Sequence, residues 1–211
     1  MSDVLSRLKT ERVVAVLRAS SADELMEVTH ALREGGIRCL EFTMTTPGAL
    51  EMIRRVSREL GDDVLLGAGT VLDGETAQAA LKAGARFIVT PVLKMAVIEA
   101  ARREGAPVMP GAFTPSEVLA AWEAGADVVK VFPASRLGPA YLKDLHGPFP
   151  DIPLMPTGGV GIDDAAAYLK AGAVAVGVGG NLTRRGEGET TAHLTERAHR
   201  LVENIRSISL T

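Results

Sequence analysis

Short apolar runs recur along the chain, each bounded by small or turn-forming residues and followed by a longer stretch with helical spacing. Four of them open alike: EGGIRCLEF (34–42), KAGARFIVTP (82–91), EAGADVVKVFP (123–133) and KAGAVAVGVGG (170–180). Each passes from the end of a helical pattern through a small-residue turn into a strand-like run. Aligned on Gly36, Gly84, Gly125 and Gly172, they follow one another at steps of 48, 41 and 47 residues, a period that signals repeated architecture. Each glycine sits where a helix end needs a left-handed residue. Between the four lie VVAVL (13–17), DVLLGAGT (63–70), APVMPGAF (106–113) and IPLMPTGG (152–159). Helix starts are marked too. Thr114-Pro115-Ser116-Glu117 reads as an N-cap, a first-turn proline and the glutamate of a capping box.

This alternation makes eight strand-then-helix units, which predicts an α/β protein with a parallel sheet and right-handed crossovers. Eight units in so short a chain favour a (β/α)8 TIM barrel forming a single domain over residues 1–211, with residues 1–10 a short helix before the first strand. A doubly wound open sheet is the alternative. Against it, no GxGxxG opens the first helix and no break in the pattern marks a reversal of strand order. Pro91, Pro110, Pro133 and Pro156 fall at or near the C-terminal ends of four consecutive strands, where a residue without an N–H ends ladder pairing. In a barrel of this kind the site lies at that face.

Composition narrows the partners. The chain has 211 residues, 46% of them apolar, which is enough for a sizeable core. A net charge of −3 and an aromatic content of 4% give neither the basic footprint nor the stacking surfaces expected of a nucleic-acid binder. Small molecules are the expected partners. The single cysteine, Cys39, excludes an intrachain disulfide and suits a reducing compartment, and the N-terminus MSDVLSRLKTERVV lacks a signal pattern. No apolar run approaches a membrane span. The expectation is therefore a cytoplasmic protein without membrane contact. The four histidines form no i, i+4 pair and neighbour no cysteine, so neither a metal site nor a metal cofactor is expected.

Candidate chemistry emerges from the repeat. The position five residues after each turn glycine carries Glu41, Val89, Lys130 and Gly177. Two equivalent positions thus bear opposite charges in otherwise apolar runs. Side chains alternate along a strand, so Val128 and Phe132 share the phase of Lys130, while Cys39 and Thr43 share that of Glu41. A structural ion pair is the plain explanation, but burying one costs desolvation that the Coulombic gain need not offset. The chemical explanation is an amine nucleophile beside a proton-moving carboxylate. An attacking amine must be neutral, which desolvation favours in general and an ionised carboxylate opposes. Glu41 must therefore hold a proton, or burial must dominate.

Glycines supply the second feature. MPTGGV (155–160) and GVGGNL (177–182) follow the seventh and eighth strands, the two loops where phosphate commonly binds in this fold. The backbone of Gly158, Gly159, Gly179 and Gly180 can approach an anion closely, and Asn181 adds a side-chain donor. Tight turn chemistry alone would use the same residues. Arg18, ending the first strand, either pairs a carboxylate bidentately or is a solvated strand-end arginine. Thr70, ending GAGT, either offers a hydroxyl to the same anion or makes a local turn bond.

In this order, GGIRCLEFTMTTP, LLGAGTVL, VTP, PGAFTPSE, VVKVFPAS and GPFPDIPLMPTGGV resemble the class I aldolases that cleave 2-dehydro-3-deoxy-6-phosphogluconate (KDPG) and 4-hydroxy-2-oxoglutarate (KHG). The resemblance runs from about residue 10 to about residue 200. It implies that Lys130 forms a Schiff base and that Glu41 is the general acid and base. It also implies a substrate pocket lined by Thr70, Pro91, Phe132, Thr157, Gly158 and Gly159, the absence of any cofactor, and a homotrimer. Many members carry an arginine four residues after the glutamate to hold the substrate carboxylate. Here that position is Thr45, which stays among the expected substrate contacts, and Arg18, with Thr70, replaces the arginine. RLGPAYLKDL (136–145) is closer to the related 2-dehydro-3-deoxy-6-phosphogalactonate aldolases, whereas HGPFPDIPLMPTGG is closer to the KDPG enzymes.

The expected partners are accordingly a small 2-oxo acid and a phosphorylated aldehyde. Another phosphate-binding barrel, a decarboxylase or a thiamine phosphate synthase, is a rival, but the Asp-x-Lys-x-x-Asp array of the decarboxylases is absent from DVVKVF. From a different class, a non-catalytic binder of phosphorylated sugar acids would use the same loops with Lys130 merely pairing the anion.

Overall fold

The structure, a computed structural model, describes residues 3–208. Residues 1 and 2 of the expected N-terminal helix lie outside the described residues. Helix α1 (Asp3–Glu11) leads into β1 (Val13–Leu17), α2 (Ala22–Glu34), β2 (Cys39–Thr43), α3 (Ala49–Leu60), β3 (Leu65–Gly69) and α4 (Gly74–Ala83). The middle of the chain comprises β4 (Ile88–Val89), α5 (Met95–Arg103), β5 (Val108–Met109), β6 (Gly111–Ala112), α6 (Pro115–Glu123) and β7 (Val129–Val131). Then come α7 (Gly138–His146), β8 (Leu154–Pro156), α8 (Ala165–Lys170), β9 (Val176–Val178), α9 (Gly180–Thr183) and α10 (Thr191–Arg206).

Every ladder is parallel. One sheet has the order β5-β4-β3-β2-β1-β9 and the other β6-β7-β8. Chain neighbours are sheet neighbours, and the first strand lies beside the last. This order excludes the doubly wound alternative, whose sheet reverses at a switch point. The sheets are not separate layers. β5 and β6 are halves of one extended segment, and an isolated parallel bridge joins Thr157 to Gly177 across the gap between β8 and β9.

One expectation is corrected here. Pro110 does not end its strand but interrupts it, since the chain resumes pairing at Gly111. A proline can donate nothing to a ladder yet still accept, and its carbonyl takes the Lys130 N–H at 2.9 Å. The ladder therefore continues through the break.

The four repeat glycines all have positive φ, from 93° at Gly36 to 115° at Gly84. After each, the next residue donates to the carbonyl five positions back: Ile37 to Leu32, Ala85 to Ala80, Ala126 to Ala121 and Ala173 to Tyr168, all at 3.0–3.2 Å. These are Schellman closures, and each turns the chain from a helix into the next strand. The capping box at Thr114 and Glu117 is formed as the sequence implies.

Two apolar clusters result. The larger joins the outward-facing strand residues, including Leu40, Phe42, Val129 and Val131, to the helices. The smaller gathers inward-facing residues from around the curled sheet: Val14, Cys39, Leu65, Val89, Met109, Val128, Met155 and Ala175. Helix α1 contributes Val4 and Leu8 to this inner cluster, so it plugs the concave side from the end where the strands begin. Polar chemistry is thereby confined to the other end. Among the described residues no helix is long and apolar enough to cross a membrane, and no group of three or more His, Cys, Asp or Glu is placed to hold a metal ion.

Candidate active site

Above the inner cluster, at the C-terminal ends of the strands, opens a cavity of about 410 Å³. Its floor is built from two strands. Glu41 sits in β2 between Val16 of β1 and Gly67 of β3, and Lys130 sits in β7 between Gly111 of β6 and Met155 of β8. Because inward-facing positions alternate, the two long side chains reach toward each other across the concave side. Lys130 Nζ and Glu41 Oε1 are 4.0 Å apart. That distance makes an ion-pair contact without a hydrogen bond.

Both groups are deeply buried, Glu41 with no exposed surface and Lys130 with 4%. Neither carboxyl oxygen of Glu41 has a hydrogen-bond partner among the described residues. Loss of water raises the Glu41 pKa above its ordinary value, and the nearby Lys130 charge offsets only part of that rise. The carboxyl thus favours its protonated form. Lys130 Nζ also lies 5.2 Å from the centre of the Phe132 ring, which walls the cavity and keeps the amine out of bulk water. Space for this arrangement comes from Gly69, where an added Cβ would collide with the Glu41 carboxyl.

The structure brings most of the sequence-derived candidates together. Arg18, Thr70, Pro91, Phe132, Thr157, Gly158, Gly159, Gly179, Gly180 and Asn181 all line the same cavity as Lys130 and Glu41. Gly158 and Gly159 have φ of 89° and 81°, and neither N–H donates to an acceptor among the described residues. The two consecutive positive-φ glycines thus leave two backbone donors without partners among the described residues at the cavity wall. Asn181 is tethered by its side-chain amide to the Val160 carbonyl at 3.2 Å. Thr70 adopts a left-handed backbone with φ 55°, unusual for a β-branched residue, at the cavity edge.

Thr45 is placed elsewhere. It does not line this cavity but faces a neighbouring groove with Met44, Leu50 and Leu72, and its hydroxyl donates to Thr43 at 3.2 Å. It belongs to a threonine network rather than to the floor. Thr43 and Thr46 are 3.3 Å apart, and Thr46 accepts the Ala19 N–H at 3.4 Å, which ties the β2 exit to the loop carrying Arg18.

Sequence reasoning overlooked Val16, Thr43, Val160 and Arg184, which also line the cavity. Thr43 was findable as the next inward-facing residue after Glu41. Arg184 is the first arginine beyond the glycine turn of the last strand, in the loop set that carries sites in this architecture.

Comparison with known proteins agrees with this geometry. A family model described as "Aldolase: KDPG and KHG aldolase" matches residues 4–195. The 2-dehydro-3-deoxy-phosphogluconate aldolase of Pseudomonas aeruginosa is 41% identical over 159 residues, 75% of this chain and 72% of that protein. The 2-dehydro-3-deoxy-6-phosphogalactonate aldolase of Escherichia coli is 36% identical over 176 residues, 83% of this chain and 86% of that protein. Among solved structures, a KDPG aldolase from Legionella pneumophila, with pyruvate captured as a covalent carbinolamine intermediate, superposes with a TM-score of 0.85. It is 27% identical, and the match covers 94% of this chain and 97% of that one. With its buried lysine and glutamate facing a glycine-rimmed cavity, the chain belongs to the KDPG and KHG aldolase family.

Proposed function

We propose that this chain is a Schiff-base lyase that reversibly cleaves 2-dehydro-3-deoxy-6-phosphogluconate to pyruvate and glyceraldehyde 3-phosphate. The observation that carries this reading is the Lys130 amine 4.0 Å from a buried carboxyl that has no other partner. A carboxyl whose pKa burial raises, set beside the amine, is suited to donate a proton.

Neutral Lys130 attacks the C2 ketone of the bound 2-oxo acid, forming a C–N bond and moving an electron pair onto oxygen. Glu41 protonates the departing hydroxyl, directly or through water, and the carbinolamine loses water to give an iminium. Glu41, now ionised, takes the C4 hydroxyl proton. The C3–C4 bond breaks, the aldehyde leaves, and its bonding pair flows into the iminium as an enamine. Protonation at C3 and hydrolysis release pyruvate and free Lys130. The iminium supplies the electron sink, so the sequence of steps calls for no cofactor. Thr70, Pro91, Phe132 and Thr157 surround the reacting carbons, with Arg18 at the cavity rim, while Gly158, Gly159, Gly179, Gly180 and Asn181 receive the phosphate.

4-Hydroxy-2-oxoglutarate, cleaved to pyruvate and glyoxylate, is a further candidate substrate. The galactonate epimer of the sugar acid is the second reading, favoured by RLGPAYLKDL and by the E. coli relative.

The surrounding architecture belongs to the same proposal. The curled sheet is a closed (β/α)8 barrel in one domain, supported by the shared segment at Pro110 and the Thr157–Gly177 bridge. The working form is a cytoplasmic homotrimer. Supporting self-association, Leu72, Val92, Met95, Phe113, Leu119 and Trp122 are large apolar side chains left exposed in or after consecutive strand-helix units.

Borohydride reduction in the presence of pyruvate, followed by peptide mass mapping, tests the chemistry. A reduced pyruvyl adduct on Lys130 is expected. No adduct, or one on a different lysine, overturns the mechanism and leaves the non-catalytic binder.

A further inference from the structure

Two arginines at the cavity rim are uncommitted. Among the described residues, neither the Arg18 nor the Arg184 guanidinium takes part in a salt bridge or a side-chain hydrogen bond. The contrast with the adjacent residue is direct, because Arg185 is paired with Glu27 at 3.2 Å. Both free guanidinium groups line a side lobe of about 230 Å³ that shares Val16, Thr43, Gly179 and Gly180 with the main cavity and adds Thr183. Arg184 packs over the glycine turn, since a Cβ on Gly180 would lie 3.1 Å from its Nε.

A chain of net charge −3 therefore gathers Arg18, Arg184 and Lys130 around one cavity whose only carboxyl among the described residues is Glu41. Such an arrangement repels itself until an anion enters. A carboxylate has two oxygens and one charge, which a single guanidinium satisfies bidentately. A phosphate monoester has three terminal oxygens and nearly two charges, and it suits two guanidinium forks with backbone donors between them. Arg18 lines the main cavity and the side lobe alike. It borders the Gly179–Gly180 turn in the side lobe, and that lobe lacks Lys130 and Glu41.

We propose that Arg18 and Arg184 form a clamp on the terminal phosphate of the substrate and are the residues by which this enzyme selects phosphorylated over unphosphorylated 2-oxo acids. The inference rests on the aldolase reading for its substrate and moves Arg18 from the carboxylate to the phosphate end.

The test is steady-state cleavage of the phosphorylated sugar acid and of its unphosphorylated counterpart by wild type, Arg18→Ala, Arg184→Ala and Arg184→Lys. Arg185→Ala, outside the lobe, is the control. Each alanine variant is expected to raise KM for the phosphorylated substrate about 10- to 100-fold, the size of a lost charge-assisted hydrogen bond, with a smaller effect on kcat. Arg184→Lys should recover part of the loss, and the unphosphorylated substrate should be almost unaffected by any of them. Equal losses on both substrates, or none, overturn the clamp. Calorimetric binding of inorganic phosphate separates this from failure of the aldolase reading. If wild type cleaves neither substrate, phosphate binding that weakens in Arg18→Ala and Arg184→Ala but not in Arg185→Ala still supports the clamp. Phosphate that binds all four proteins alike, or does not bind wild type at millimolar concentration, refutes it.

Discussion

Cys39 and Glu41 lie two residues apart on one strand, face the same side and are both fully buried, yet they belong to different worlds. Cys39 is in the lower ring, among Val14, Leu65, Val128 and Met155 over the α1 plug. Loss of water pushes its thiol up to about 12, with the Glu11 carboxyl adding to the rise and Arg7 offsetting part of it. A thiol in that state is neutral and inert at physiological pH. The same desolvation raises the Glu41 pKa in the upper ring, but there the carboxyl faces an amine and an open cavity. Val128, just before β7, and Lys130 within it repeat the contrast. One physical cause thus yields structure in the lower ring and chemistry in the upper one. Two carboxyl oxygens without hydrogen bonds are costly to bury, so the upper ring is built against stability.

The comparison breaks first at Lys130. Lys130→Met should reduce turnover to background, a loss on the order of 10⁶-fold as when a covalent nucleophile is removed. The far-ultraviolet circular dichroism should be preserved, because an apolar side chain of similar length fills the space. Residual activity above a trace would move the chemistry away from this strand. Glu41→Gln comes next. It keeps the shape and removes the transferable proton, and a loss of about 10²- to 10⁴-fold in kcat is expected for an acid-base group. Wild-type rates in this variant would make Glu41 a structural residue after all.

The lower ring should fail in the opposite way. Leu8→Ala opens a void beneath the sheet and is expected to cost about 2–5 kcal/mol of stability, read as a lowered melting temperature. The kcat of the folded fraction should stay within about twofold, since the plug lies at the far end of the strands from the cavity. A large kcat effect would show that the rings are coupled rather than divided.

How far the sequence discloses this division follows from what each residue's position depends on. The strand phase that gives Cys39, Glu41 and Thr43 a shared face, and Val128 and Lys130 likewise on their own strand, is a local consequence of pleating and is legible at once. Repeat glycines disclose the helix ends for the same reason. The interruption at Pro110 was not legible, because whether a proline ends a strand depends on what its carbonyl meets on β7. Thr45 was misplaced by analogy of position. In this chain its hydroxyl is held by Thr43, and its side chain faces the adjacent groove. Arg184 was missed because it lies outside the periodic pattern, in a loop where only the three-dimensional neighbourhood of Gly180 and Arg18 gives it meaning.

The smallest effect carries the sharpest sign. If Glu41 and Lys130 were an ordinary structural ion pair, the folded state would favour the ionised carboxylate, and stability would rise as pH increases through the carboxylate range. The raised Glu41 pKa reverses this. Below the ordinary value of 4.5 the carboxyl is protonated in both folded and unfolded chains, and its favourable contribution is fully present. As pH rises above 4.5, the unfolded chain releases the proton first, so that contribution fades until the folded carboxyl also ionises. Glu41→Gln removes this dependence while leaving other titrations in place. The melting temperature of wild type minus that of Glu41→Gln should therefore fall as pH is raised from about 4.5 toward neutrality. A difference that rises over the same interval would make the carboxylate a counter-ion, and with it Glu41 would lose its place as the resting proton donor.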